Sequence, residues 1–287
     1  MYYPYFRGKQ FDLIALRTLL EENVLSPKIQ PIIEPVKKTT AFTKLLTVSQ
    51  KLAHPLYVIQ NPQAGAFLTE EGLAALQQLP NPKARLLDQP LETIEQLPEL
   101  LIVNQATAAL DSDWTGNRGK VLVPEEFRLL QKVQGERILS QDLFTRLPRT
   151  SYYQESLDEI FSTAQHTYRK KGFSGFSDFS IDSRIYYEHG YPTPILSLHL
   201  VYFEADVLRI HHFLSPEDLP SQKEKFFVLM AEIEQWQTKL CGNQLTKGLA
   251  LLLANADNGK FPGMGVMRKA AVMHHMEVMS RYLDQVD

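Results

Sequence analysis

Eight charged or amide side chains follow short apolar runs of the chain. Arg7 and Lys9 come after Tyr2–Phe6, Glu34 and Lys37 after 29–33, Asn61 after 56–59, Asn104 after 101–103, Asp142 after 137–139, and Asp178 lies within 175–179. Gathered at one mouth, the cations would suit a phosphate or carboxylate and the acids would suit a divalent metal ion or a proton transfer. In that arrangement Arg7, Lys9 and Lys37 neutralise phosphate, while Asn61 and Asn104 hold the ligand. Glu34, Asp142 and Asp178 hold a divalent metal ion or activate water, which is the chemistry of a metal-dependent phosphodiesterase. Loops after strands are polar in any protein, so the same residues also fit a solvated edge.

Histidines form a second group. His199 falls in one β-rich run and His211-His212 in the next, so His199 can face one of them across a strand pair. Two facing imidazoles with an Asp or Glu can ligate a transition metal. Neighbours in a strand point to opposite faces, so only one of His211 and His212 can join a given cluster. His199 and His211 are therefore candidate ligand-binding residues. Asp178 and Asp182, in a Gly-Phe-Ser segment from 172 to 182, can hold an ion or simply cap turns through their own side chains. The glycine-rich stretch 259–265 can meet an anion at a helix amino end or serve as a connection, and the methionines after it form a core or partner-facing stripe. A Walker loop, a dinucleotide glycine fingerprint, a His-Glu-x-x-His helix and a Gly-x-Ser-x-Gly elbow are absent.

The elements that must position these groups alternate. Four short apolar runs, each closed by polar residues, recur through the first half, with amphipathic helices after the first three. Such repeats call for a parallel sheet, beyond whose carboxyl strand ends chemistry gathers. A first helix is expected from Gln10 or Phe11. A second is capped by Thr39 or Thr40, and a third is capped by Thr69 with an acidic first turn. Further strands are expected at 100–103, 120–123 and 137–139, with a short element at 92–97, a turn at 111–119, and a long amphipathic helix at 154–170 burying Leu157, Ile160, Phe161 and Ala164. The runs 195–203 and 207–213, joined by Glu204-Ala205-Asp206, require an antiparallel hairpin. Helices follow at 222–240 and 266–283, with 249–253 between them as a helix or a buried strand. The expected fold is one α/β domain over 1–287, an irregular TIM-barrel-like (β/α) barrel with a hairpin at about 195–213 and a helical part from 222 to 287.

Bulk properties agree with this class. A chain of 287 residues with 44% hydrophobic content can bury a large core. Thirty basic against 33 acidic residues leave a net charge of -3, so no global field draws it to nucleic acid or an anionic membrane. The one cysteine, Cys241, excludes an internal disulfide and a cysteine-cluster metal site, and with no long apolar run it points to a cytoplasmic, membrane-free protein.

Tyr2-Tyr3-Pro4-Tyr5-Phe6-Arg7-Gly8-Lys9-Gln10-Phe11, Ile32-Ile33-Glu34-Pro35-Val36 and Gly175-Phe176-Ser177-Asp178-Phe179 resemble the phage and bacterial "beta protein" family. The resemblance implies a barrel-like α/β fold and a phage or mobile-element neighbourhood, with a role in antiviral defence by association; it brings no catalytic assignment. Together these readings give a strand-end rim that binds a nucleotide or nucleic-acid phosphate. The alternative is a scaffold that binds a protein partner from the same operon through the hairpin and the Met-rich last helix, which requires an exposed apolar patch there.

Overall fold

The computed structural model describes residues 1–88, 97–103, 119–185 and 194–286. Asn104 and nearly all of the expected elements at 92–97 and 111–119 lie outside the described residues. The chain divides into two compact units, one made of Met1–Leu13, Pro27–Asp142 and Ala164–Phe179, the other of Ile14–Ser26, Leu143–Thr163 and Ser180–Asp287.

The first unit is a nearly closed, barrel-like parallel sheet. Its strands are β1 (Tyr5–Phe6), β2 (Ile32–Ile33), β3 (Tyr57–Ile59), β4 (Lys83–Leu86), β5 (Leu100–Ile102), β6 (Lys120–Pro124), β7 (Glu136–Ser140) and β9 (Gly175–Ser177), paired in that order. The two ends of the sheet meet: Tyr2 bridges Phe176 in parallel, the Tyr3 amide donates to the Phe176 carbonyl at 2.8 Å, and the Tyr5 amide donates to the Asp178 carbonyl at 2.8 Å. Alternate residues of these strands fill the interior, with Tyr3, Tyr5, Ile32, Tyr57, Ile59, Leu86, Leu100, Ile102, Leu122 and Ile138 packed together.

Helix α1 (Gln10–Glu21) follows β1 and runs from the first unit into the second. Helix α2 (Thr40–Lys51) starts where Thr39 accepts the Phe42 amide, and α3 (Glu70–Gln77) starts where Thr69 accepts the Gly72 amide, so both caps form where the sequence places them. A four-residue helix, α4 (Phe127–Leu130), follows β6. Strand β4 went unrecognised in the sequence, because Lys83 and Arg85 interrupt its apolar residues and only Ala84 and Leu86 are buried.

The second unit holds a separate antiparallel sheet, ordered β10 (Ser197–Glu204), β11 (Val207–Leu214), β8 (Asp158–Ser162). The hairpin is as expected. The helix expected at 154–170 is not: a 3-10 helix at Thr150–Glu155, strand β8 and the short α5 (Ala164–Thr167) take its place. Phe161 and Ala164 are buried, but Leu157 and Ile160 are 42% and 60% exposed. Apolar spacing favoured a helix locally, and pairing of β8 with β11, a contact between distant segments, overrode it. Helices α6 (Gln222–Cys241), α7 (Lys247–Asp257) and α8 (Met264–Gln285) complete the chain, so the segment 249–253 is helical. No helix among the described residues is long and apolar enough to cross a membrane.

Candidate functional site at the strand ends

At the carboxyl ends of β1, β2 and β3 the chain builds one polar cluster around Glu34, which is fully buried. Continuing the alternation from the interior residue Ile32 directs Glu34 into the mouth of the sheet. Its Oε2 accepts the Tyr5 hydroxyl at 2.7 Å and lies 3.4 Å from Nη1 of Arg7, while Oε1 accepts the Gln63 amide at 2.8 Å. The Arg7 guanidinium also stands over the Tyr5 ring, 5.8 Å from its centroid. Burial, and then the charge of Glu34, push the Tyr5 hydroxyl well above its ordinary pKa, so it stays a proton donor to the carboxylate.

Two glycines allow this cluster to form. Gly8 has φ +56°, and a Cβ there would sit 2.8 Å from the Glu34 carbonyl oxygen. Gly65 has φ +94°, and its Cβ would lie 1.9 Å from the Val36 carbonyl oxygen. The loops after β1 and β3 thus close on Glu34-Pro35-Val36 from both sides.

The other strand-end residues are placed as follows. Lys9 is half-buried and Lys37 exposed in the loops that follow β1 and β2. Asn61 bridges neighbouring strand ends: its Nδ2 donates to the Leu86 carbonyl and to Asp88, both at 2.9 Å, and its Oδ1 accepts the Leu86 amide. Asp142 is exposed just beyond β7. Asp178 departs from the expected common mouth. It shares a face with Phe176, whose ring stacks on Tyr2 at 4.9 Å, and it accepts the Tyr2 hydroxyl at 2.7 Å. Tyr3 and Tyr5 point inward, so Tyr2, Phe176 and Asp178 lie on the outer face. A strand end fixes how far along the sheet a residue lies, and the alternation fixes its side. Among the described residues no three His, Cys, Asp or Glu side chains are grouped to hold a metal ion.

His199 and His211 are not in the parallel sheet and do not face each other. Across the hairpin His199 is opposite His212, while His211 is opposite Leu200. Counting from the turn gives this register, since Glu204 pairs with Val207 and each step outward moves one residue on either strand. The His199 and His212 Nδ1 atoms are 2.7 Å apart, and Tyr153 and Phe144 pack on the His199 ring at 4.9 and 5.2 Å. On the other face, His211 lies against Trp236 at 3.8 Å between centroids and meets Asp158 at 3.1 Å; Asp158 also accepts from Tyr202 and from Arg209.

Sequence reasoning missed Tyr5 and Gln63 at the mouth, since Tyr5 looks like an ordinary strand residue and Gln63 contributes only its backbone. It also missed Asp158, Tyr202, Arg209 and Trp236; the alternation of the hairpin, once anchored at its turn, places Tyr202, Arg209 and His211 on one face. The methionine stripe is core: Met267, Met273, Met276 and Met279 of α8 are buried and only Met264 is exposed. Comparison of the chain with protein-family models, with curated proteins and with solved structures finds no match in any of the three.

Proposed function

We propose that the first unit is a TIM-type (β/α) barrel whose carboxyl rim binds an anionic ligand, a nucleotide or nucleic-acid phosphate, in the phage-related or antiviral setting implied by the resemblance to the "beta protein" family. The observation that carries this reading is the Arg7–Glu34–Tyr5 cluster. A buried carboxylate and an aromatic ring hold a guanidinium at the mouth, with Lys9 and Lys37 in the adjoining strand-end loops. A pre-oriented guanidinium binds phosphate with less loss of side-chain entropy than a free one. Glu34 then acts by positioning Arg7.

The binding form is favoured over the hydrolytic one. A metal-dependent phosphodiesterase using Glu34, Asp142 and Asp178 needs all three carboxylates at one ion, and Asp178 lies on the outer face, bonded to Tyr2. The rival scaffold reading calls for an exposed apolar patch on the hairpin and α8, and on α8 Met267, Met273, Met276 and Met279 are buried.

Calorimetric titration of the whole protein with inorganic phosphate, ATP and short DNA duplexes tests the proposal. Binding should weaken with salt, and Arg7→Ala should weaken it by about tenfold or more, with Lys37→Ala weakening it less. Absence of binding to all three probes, or affinity unchanged in Arg7→Ala, would overturn it.

A further inference from the structure

We propose that His199 and His212 bind one divalent transition-metal ion between their Nδ1 atoms, in the second unit and independently of the strand-end rim. Two neutral imidazoles with Nδ1 atoms 2.7 Å apart must share one N–H, since two bare lone pairs or two N–H groups at that separation repel. The Glu159 carboxylate lies 3.4 Å from His212 Nε2 without hydrogen-bond geometry, and its negative charge there favours the proton on that nitrogen and leaves His212 Nδ1 bare. His199 therefore donates its own Nδ1–H into the pair.

A metal ion can take the place of that proton. The His199 proton moves to its own Nε2, so a neutral pair takes up the ion without net proton release. With metal–nitrogen bonds of about 2.0–2.1 Å and a tetrahedral angle, the two nitrogens would stand roughly 3.3 Å apart, a small opening from their present separation. Glu159 stands 3.4 Å behind His212 Nε2, from where a small turn of either side chain would complete the carboxylate–histidine hydrogen bond that orients metal-ligating imidazoles.

Tyr153 and Phe144 pack on the His199 ring and restrict its rotation. The charged groups around the pair balance: Arg268 and Arg146 are both paired with Asp182, and Glu159 is the facing acid. Helix α8 packs on this face of the sheet, where Nε2 of His274 donates to the Val201 carbonyl at 2.7 Å and Tyr282 stacks on Phe203. Burial holds both imidazoles of the pair in their neutral, ligand-ready form. An all-imidazole pair selects zinc, nickel or copper over magnesium.

The test is titration of the metal-stripped, full-length protein with Zn2+, Ni2+ and Mg2+ by calorimetry. One equivalent of Zn2+ or Ni2+ should bind saturably, and Mg2+ should not compete. Glu159→Gln should weaken binding by about tenfold, and His199→Asn and His212→Asn by more. His211→Asn, on the opposite face, should leave it unchanged. Long-range proton–nitrogen spectra of the wild-type protein add a readout free of any folding defect in the variants. There the ring nitrogens of His199 and His212, but not of His211, should move with one equivalent of Zn2+. No saturable uptake, uptake unaffected by His199→Asn and His212→Asn, or unmoved His199 and His212 signals would each overturn the proposal.

Discussion

Each unit of the molecule holds a carboxylate against an arginine, and the two clusters differ in burial and in what else the carboxylate accepts. Glu34 and Arg7 expose 0% and 10% of their side chains, whereas Asp158 and Arg209 expose 22% and 24%. Glu34 takes its hydrogen bonds from a tyrosine and a backbone amide at strand ends. Asp158 takes its bonds from Tyr202, Arg209 and His211, all on hairpin strands beside it. Away from water an ion pair attracts more strongly but has lost more hydration, so its net contribution is modest while the loss of one partner is severe. Near the surface both terms shrink. Glu34 is thus a keystone of the loops around it, and Asp158 is a supporting contact for an edge strand.

The largest expected effect comes from breaking the buried member. Glu34→Ala leaves Arg7 without its counter-ion and the Gln63 amide and Tyr5 hydroxyl without their acceptor, which should destabilise the protein by about 3–5 kcal/mol in urea unfolding. Glu34→Gln keeps an acceptor for Tyr5 and should lose less. A loss for Glu34→Ala no larger than that for Asp158→Ala would reverse the comparison drawn above.

A second expectation sharpens the contrast between charged and neutral burial. His274 and His275 of α8 are buried; Nδ1 of His274 accepts the Thr246 hydroxyl at 2.8 Å while its Nε2 donates to the Val201 carbonyl, and His275 meets Ser180 at 2.8 Å. Burial lowers the His274 pKa to about 4, and burial together with the neighbouring His274 lowers that of His275 to about 3. The unfolded rings protonate near the ordinary value of 6.5. Below that pH the unfolded state binds more protons, so stability is complete above 6.5 and falls as the solution is acidified toward the folded values. Each ring should contribute a slope of up to about 1.4 kcal/mol per pH unit. Urea midpoints between pH 7.5 and pH 5, and a flatter profile in His275→Phe, check this; a flat wild-type profile would contradict it.

Much of this architecture is legible in the sequence, and the misreadings share a cause. Strand ends, the caps Thr39 and Thr69, and the hairpin all rest on local signals. Strand β8 does not, because Leu157, Ile160, Phe161 and Ala164 follow helical spacing while the strand state depends on pairing with β11, some fifty residues later. At the candidate site, Arg7 and Glu34 were readable as strand-end neighbours. Asp178 was readable as a strand end but not as outward-facing, because the closing contact between Tyr2 and Phe176 that sets its side joins the two ends of the sheet. The three blocks 2–11, 32–36 and 175–179 meet at this seam and at Glu34: Gly175 leaves room for the Tyr3 ring, Tyr2 donates to Asp178, and Gly8 packs on the Glu34 backbone. The packing of the seam is therefore a physical reason for Gly8, Gly175, Tyr2 and Asp178, apart from any ligand.

The half-exposed cluster gives the smallest and most diagnostic effect. Burial raises the Asp158 pKa, but hydrogen bonds from Tyr202, Arg209 and His211 outweigh it and hold the carboxyl below its ordinary value of 3.8. A depressed carboxyl stabilises the fold above its unfolded pKa, and that contribution fades as pH falls through the folded value. Asp158→Asn should therefore destabilise by about 1–2 kcal/mol at pH 7, with the difference from wild type shrinking below pH 4. The histidine effect sets in at a higher pH, near 6.5, so its onset precedes that of Asp158 in one acid titration. Arg209 packs beside Tyr202, and Lys239 stands over Tyr202 and Trp236 at 4.7 and 4.6 Å, so the aromatic wall persists when Asp158 loses its charge. A loss in Asp158→Asn that stayed constant down to pH 3 would mean that shape rather than charge holds β8 to the hairpin.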